Sequence, residues 1–214
     1  MRSYLITNRP WWLVMLVGTL GCGGCCSGCG CSGQDHPIFH AAKKGDVEKV
    51  RDYLDSNPKL LTETYRQPAR GKNLFSSDTG KQLVHLAAEE GQVEVLKLLK
   101  ERSADLESAV NDWSRHYQPI HLAARGNRAQ TVAWFLDNGI SIEAKTKSSE
   151  ETPLYSAADS DSVEAVELLL ARGANVDARY KSGVATWSVL MPVCRNSSDK
   201  SMRIAKLLLD KGFM

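Results

Sequence analysis

The chain has 214 residues, 43% of them hydrophobic and 24% charged, the composition of an ordinary globular chain large enough for one sizeable core. Its formal net charge of +2 resides in Arg2 and Arg9; beyond residue 21 there remain 25 basic and 25 acidic residues, a neutral balance that argues against nucleic acid as the main partner. Five of the six cysteines crowd into residues 22–31 and Cys194 stands alone, which excludes a disulfide scaffold for the body of the chain.

At the N-terminus, Arg2 and Arg9 precede an apolar run from Trp11 to Leu20. Ten residues of helix span about 15 Å, half of a hydrocarbon core of about 30 Å, so the run reads as an export signal (residues 1–21) rather than a transmembrane anchor. Thr19-Leu20-Gly21-Cys22 follows. It resembles a bacterial lipoprotein signal, which implies cleavage before Cys22 and lipid on its thiol. Thr19 departs from the usual Leu, and an uncleaved anchor or an ordinary signal peptide is the alternative.

Residues 22–35 add Cys25, Cys26, Cys29 and Cys31 in a Gly/Ser-rich setting. Two readings stand. One is a flexible tether between lipid and domain. The other is a metal- or redox-handling cluster, for which the C-x2-C-C-x2-C-x-C run has no partner histidine, no further CxxC at domain distance and no scaffold to fix ligand geometry.

From residue 36 onward the chain repeats itself. Pro37-Ile-Phe-His-Ala-Ala42, Leu83-Val-His-Leu-Ala-Ala88, Pro119-Ile-His-Leu-Ala-Ala124 and Pro153-Leu-Tyr-Ser-Ala-Ala158 align, and Trp187-Ser-Val-Leu-Met-Pro192 is a degenerate fifth copy. An apolar group follows each: Tyr53-Leu54, Leu98-Leu99, Trp134-Phe-Leu136, Leu168-Leu-Leu170 and Leu207-Leu-Leu209, the last after about five inserted residues around Asn196–Lys200. Each unit predicts a short helix, a turn and a second amphipathic helix. The small Ala-Ala pair permits close helix approach. Pro at 37, 119 and 153 suits a helix start. Gly45, Gly91, Asn127 and Asp161 stand at the turn, and these residue types enter the left-handed region most cheaply.

These segments resemble the ankyrin repeat, and the unit from Thr152-Pro153-Leu154 to Ala174-Asn-Val-Asp177 is the closest copy. The resemblance covers residues 36–214 and implies an all-α solenoid of about five helix–turn–helix repeats with finger loops (about 36–64, 80–108, 117–145, 150–179 and 183–214). It also implies that His85 and His121 hydrogen-bond a neighbouring turn. Residues 65–79, with Arg66, Arg70 and Lys72, form an enlarged finger that is either functional or disordered. In the fifth repeat Pro192 replaces the second alanine, a departure typical of capping units, and Arg203, Lys206 and Asp210 predict a polar outer stripe on the last helix.

No catalytic or metal-binding motif stands out. His36 and His40 read as cap residues of the first repeat, and Cys194 as a half-buried thiol without a base. The chain is therefore expected to have no catalytic site, no cofactor and no metal. In the ankyrin architecture, fingers and first helices line a concave face where partners bind. The candidate contacts are Trp113, Arg115, His116 and Tyr117 in one finger, Arg179, Tyr180 and Lys181 in another, and Arg125 after an Ala-Ala pair. Trp113 and Tyr117 either reach a partner or fold back on their own stack. Glu89, Glu90 and Asp159 are expected at the same concave end as Arg125. The expected function is a protein-binding module, partner unknown, tethered to a cell-envelope membrane by lipid on Cys22 and facing the periplasm or exterior. The alternative is a metal- or redox-handling lipoprotein with the repeats as scaffold.

Overall fold

The computed structural model describes residues 36–66, 78–110, 116–182 and 185–212. Five helix pairs follow in chain order: α1 (Pro37–Lys44) with α2 (Val47–Ser56), α3 (Leu83–Glu90) with α4 (Val93–Glu101), α5 (Pro119–Arg125) with α6 (Ala129–Asp137), α7 (Pro153–Asp159) with α8 (Val163–Ala171), and α9 (Leu190–Arg195) with α10 (Asp199–Asp210). The first helices stack on one another, α1 on α3 on α5 on α7 on α9, and the second helices form a parallel layer outside them. This is the expected all-α solenoid, with short antiparallel hairpins added in two fingers: β1 (Tyr65–Arg66) with β2 (Asp78–Lys81), and β3 (Arg179–Ser182) with β4 (Ala185–Ser188).

The alanine pairs explain the stacking. Ala42, Ala88, Ala124 and Ala158 are completely buried between first helices, where a larger side chain would hold the backbones apart. Second helices seal the other side with Val50, Leu54, Leu96, Leu99, Phe135, Leu169, Ile204 and Leu208. Gly45, Gly91, Asn127 and Asp161 all adopt positive φ, at 76°, 83°, 56° and 53°. In the later repeats this turn residue also has a second task. Asn127 accepts a bond from the Ala165 amide in the first turn of α8 at 3.1 Å, and the Asp161 carboxylate accepts from Ser201 Oγ in α10 at 2.6 Å. Asn127 thus ends a turn in its own repeat and caps a helix in the next, while Asp161 holds the Ser201 side chain of a helix that Ser198 caps.

A reciprocal contact runs backward. Gln92 Nε2, Arg128 Nε and Ser162 Oγ, each preceding a second helix, donate to the carbonyls of Lys43, Glu89 and Arg125 at 2.9, 3.2 and 2.9 Å. Those carbonyls lie at the C-terminal ends of first helices, where intrahelical donors run out.

The fifth repeat departs from the expected alignment. Trp187 and Ser188 belong to β4, and α9 begins only at Leu190. A helix starting at Trp187 would put Pro192 in its sixth position, where a missing amide breaks the hydrogen-bond ladder; starting at Leu190 puts the proline in the first turn, where none is needed. The connector from α9 to α10 is accordingly no longer than its counterpart in the fourth repeat, since Arg195 leads to Ser198 as Asp159 leads to Ser162. The extra residues lie in the finger hairpin and in α10, which has 12 residues against 9 in α8, rather than at 196–200. The outer stripe of α10 is mixed: Met202 and Leu209 are exposed beside Arg203, Lys206 and Asp210.

In the enlarged finger the base is ordered. Tyr65 is buried with its ring edge-on to Phe39 at 5.4 Å, and pairs with Lys81 across the hairpin. Arg70 and Lys72 lie outside the described residues.

Candidate partner-binding face

In the first four repeats the third residue of the first helix contacts the finger that follows it. In the second repeat, His85 Nδ1 accepts the Gln82 amide at 3.1 Å, which leaves Nε2 to donate to the Ser108 carbonyl at 2.8 Å. In the third, His121 Nε2 contacts both the Ala144 and Glu151 carbonyls, at 3.1 and 2.9 Å. Both rings are completely buried. Burial pushes each imidazole down to about 4, with bonds to backbone carbonyls only partly opposing it, so both are neutral at pH 7. In the first and fourth repeats the same position holds Phe39 and Tyr155. These meet finger aromatics instead, Phe39 edge-on to Tyr65 and Tyr155 stacked on Tyr180, the latter nearly parallel at 4.6 Å.

The finger pinned by His121 is closed. Thr146, Ser149 and Glu151 are buried in it, and Ser156 Oγ donates to Glu151 Oε1 at 2.7 Å. By contrast, the β3–β4 finger is open. Tyr180 pairs with Trp187 across the ladder, so both side chains share one face, while Arg179 and Lys181 alternate to the other. Lys181 turns to Glu150 of the preceding finger, whose carboxylate it shares with Lys145, and Arg179 is exposed. The three candidate contacts Arg179, Tyr180 and Lys181 thus share one finger but alternate between its two faces.

The Tyr180–Trp187 face fronts a hollow of about 250 Å³ between α7 and α9, also lined by Tyr155, Met191 and Pro192, with Asp159 and Arg195 paired at 3.1 Å. Trp187 is 37% exposed and Met191 44%. The alignment placed both inside a degenerate helix, and only the strand ending at Ser188 brings Trp187 beside Tyr180.

The other candidate contacts distribute as follows. Tyr117 is buried, a correction to its reading as an available contact: it folds back on its own stack, and its hydroxyl accepts from Arg125 Nη1 at 2.7 Å while the guanidinium lies 5.1 Å from the ring centre. His116 is half-buried with φ 50°, not free-standing. Trp113 and Arg115 lie outside the described residues, as do Cys22 and the other N-terminal cysteines. Cys194 is exposed rather than half-buried. His36 caps α1, its Nδ1 accepting the Ile38 amide at 3.2 Å. Among the described residues, no group of three or more His, Cys, Asp or Glu side chains could hold a metal ion, and no helix is long and apolar enough to cross a membrane.

At the C-terminal ends of the first helices the charges alternate by repeat: Lys43, Glu89, Arg125, Asp159, Arg195. Each acid in this row already has a cation, Glu89 from Lys81 at 2.6 Å and Asp159 from Arg195. Lys43 and Arg125 instead lie over aromatic rings, Lys43 Nζ 4.1 Å from the centre of Tyr65 and Arg125 on Tyr117. The row therefore carries a surplus of positive charge.

Stacked helix pairs, connecting fingers and histidines tying helix to finger define a repeat-built scaffold. Residues 84–180 match the family model described as ankyrin repeats in three copies, so the chain carries ankyrin repeats and its stack is an ankyrin-repeat solenoid. Similar proteins include the human ankyrin repeat and KH domain-containing protein 1, 36% identical over 99 residues, which are 46% of this chain and 4% of the relative. Mouse B-cell lymphoma 3 protein homolog is 32% identical over 107 residues, 49% of this chain and 23% of the relative. Bovine ankyrin repeat domain-containing protein 37 is 32% identical over 107 residues, 48% of this chain and 66% of the relative. The chain thus spans less than a quarter of the first two relatives. Ankyrin repeats are interaction modules that generally bind protein partners.

Proposed function

We propose that this chain is a membrane-tethered module that binds a protein partner along the finger side of its ankyrin stack and performs no catalysis. The hollow beside the last finger carries this reading. Trp187 and Met191 expose apolar surface there, next to stacked tyrosines, and aromatic side chains around a pocket are the usual anchors of binding energy. The fingers are free to present such groups because the Ala-Ala pairs and second helices carry the core. Trp113 and Arg115 extend the candidate surface in sequence. The test is photo-crosslinking in the native envelope, with the reactive group placed at Trp187 or, for comparison, at Lys97 and Glu167 on the second helices. A partner captured only from the second helices would move the working face to the convex side.

The tether rests on the charged N-terminal region, the short apolar run and the Gly21–Cys22 junction. Lipid on Cys22 would hold the repeats at a cell-envelope membrane, facing the periplasm or exterior. Cys22→Ser is then expected to release the protein from the membrane fraction or leave it unprocessed. A variant that fractionates and migrates like the wild type would exclude lipidation at this cysteine.

A further inference from the structure

The groove's chemistry narrows the class of partner, given the finger-side reading above. Two features combine. The hollow between α7 and α9 is smaller than the roughly 300–1,000 Å³ of drug-sized pockets, and its rim pair Asp159–Arg195 is internally neutralised. Its Trp187, Met191 and Pro192 side suits one apolar side chain, while the tyrosines and the Asp159–Arg195 pair line the rest with polar groups. Next along the groove, Arg125 meets no carboxylate among the described residues; the ring and hydroxyl of Tyr117 hold its guanidinium in place. A cation fixed in this way has already lost much of its side-chain freedom and is ready to meet an anion at reduced entropic cost. Lys43, two repeats further on, is held over Tyr65 in the same manner.

We infer that the groove binds an extended acidic peptide segment, with one apolar side chain in the Trp187–Met191 hollow and a carboxylate on Arg125. Arg125 lies about one and a half repeats from the hollow, or about 15 Å at a helix spacing of about 10 Å. An extended chain covers that in four or five residues at about 3.3 Å each. The segment therefore reads as a Glu or Asp placed four or five residues from a Phe, Leu or Met, in an otherwise acidic stretch. Lys43 favours carboxylates further along.

The test uses the full chain and three fluorescein-labelled peptides in anisotropy titrations. The first is a glutamate-rich peptide with one central phenylalanine, the second replaces phenylalanine with serine, and the third replaces every glutamate with lysine. The first peptide is expected to bind, and the second and third to bind at least about tenfold more weakly. Trp187→Ala and Arg125→Glu should each weaken the first peptide by about tenfold or more, with circular dichroism unchanged, and added salt should weaken it further. Preferential binding of the lysine peptide, lost in Trp187→Ala, would overturn the acidic partner while keeping the groove. Binding that ignores both substitutions but falls with Lys97→Ala or Glu167→Ala would overturn the groove itself. Failure of all three peptides to bind would also reject the inference.

Discussion

Repeats two and three fix their fingers differently from repeats one and four. His85 and His121 reach finger carbonyls with a ring nitrogen; the stretch around Ser108 stays half-exposed, whereas Thr146, Ser149 and Glu151 beside His121 are buried. Phe39 and Tyr155, at the same helical position, each meet a finger ring, Phe39 edge-on to Tyr65 and Tyr155 face to face with Tyr180, so the finger docks by a side chain while its backbone pairs within the hairpin and through Lys181 N to the Ser149 carbonyl. Both aromatic-held fingers form antiparallel hairpins, and neither histidine-held finger does among the described residues. A hairpin that supplies its own hydrogen bonds can project from the stack and display a Trp187. The residue at this one helical position thus differs between fingers tied by a backbone carbonyl and fingers docked by an aromatic ring.

The largest expected effect separates the two kinds of repeat by pH. His85 and His121 fall from about 6.5 to about 4 on folding, so the unfolded chain binds more protons between those values. Stability is therefore full above about pH 6.5 and declines as pH falls toward 4, by about 3 kcal/mol for each histidine, taking about 1.4 kcal/mol per unit. Urea unfolding at pH 7, 5.5 and 4.5 should trace this loss. Hydrogen exchange should show the histidine-bonded segments at Ser108 and at 144–151 loosening before the β3–β4 hairpin. Simultaneous loosening of both kinds would break the distinction.

Next in size is His121→Ala. It removes the donor shared by the Ala144 and Glu151 carbonyls and leaves a cavity in the stack. A loss of about 2–4 kcal/mol is expected from a buried truncation with unsatisfied partners. The variant should also show roughly half the acid sensitivity of the wild type, since His85 alone would remain to titrate. A destabilised variant with undiminished pH dependence would place the acid response elsewhere.

The smallest effect sharpens the other side of the comparison. Tyr180→Ala deletes the ring stacked on Tyr155 but leaves the hairpin ladder intact. A stacked aromatic pair is worth about 0.5–1.5 kcal/mol beyond its buried area, so global stability should fall by about 1–2 kcal/mol. Amide exchange should accelerate at residues 185–188 and stay unchanged at 144–151. Equal acceleration in both fingers would mean that they behave as one unit.

The repeat unit was legible because its signals are local. Alanine pairs, proline at helix starts and turn residues tolerant of positive φ recur in order, and the chain follows them: all four turn residues adopt that conformation and all four second alanines are buried. The histidine bonds followed from the family resemblance. The fingers were less legible. Residue type alone gave no sign of whether Tyr117 faces a partner or Arg125, nor that Tyr180 and Lys181 point to opposite faces, because both depend on strand register and on which neighbour fills the space.

Sequence by itself thus determined the number of helix pairs, their order and the burial of their contact faces, since each follows from periodicities within a few residues. Tertiary structure decided the start of α9, the hairpins at 65–81 and 179–188, and the hollow shared by Trp187 and Met191. Pro192 excludes a helix from Trp187, but only pairing with residues 179–182 turns the freed segment into a strand. Only the stacking of α9 on α7 then gives that strand a pocket to face. Contacts of this kind join residues far apart in the chain, and no local pattern encodes them.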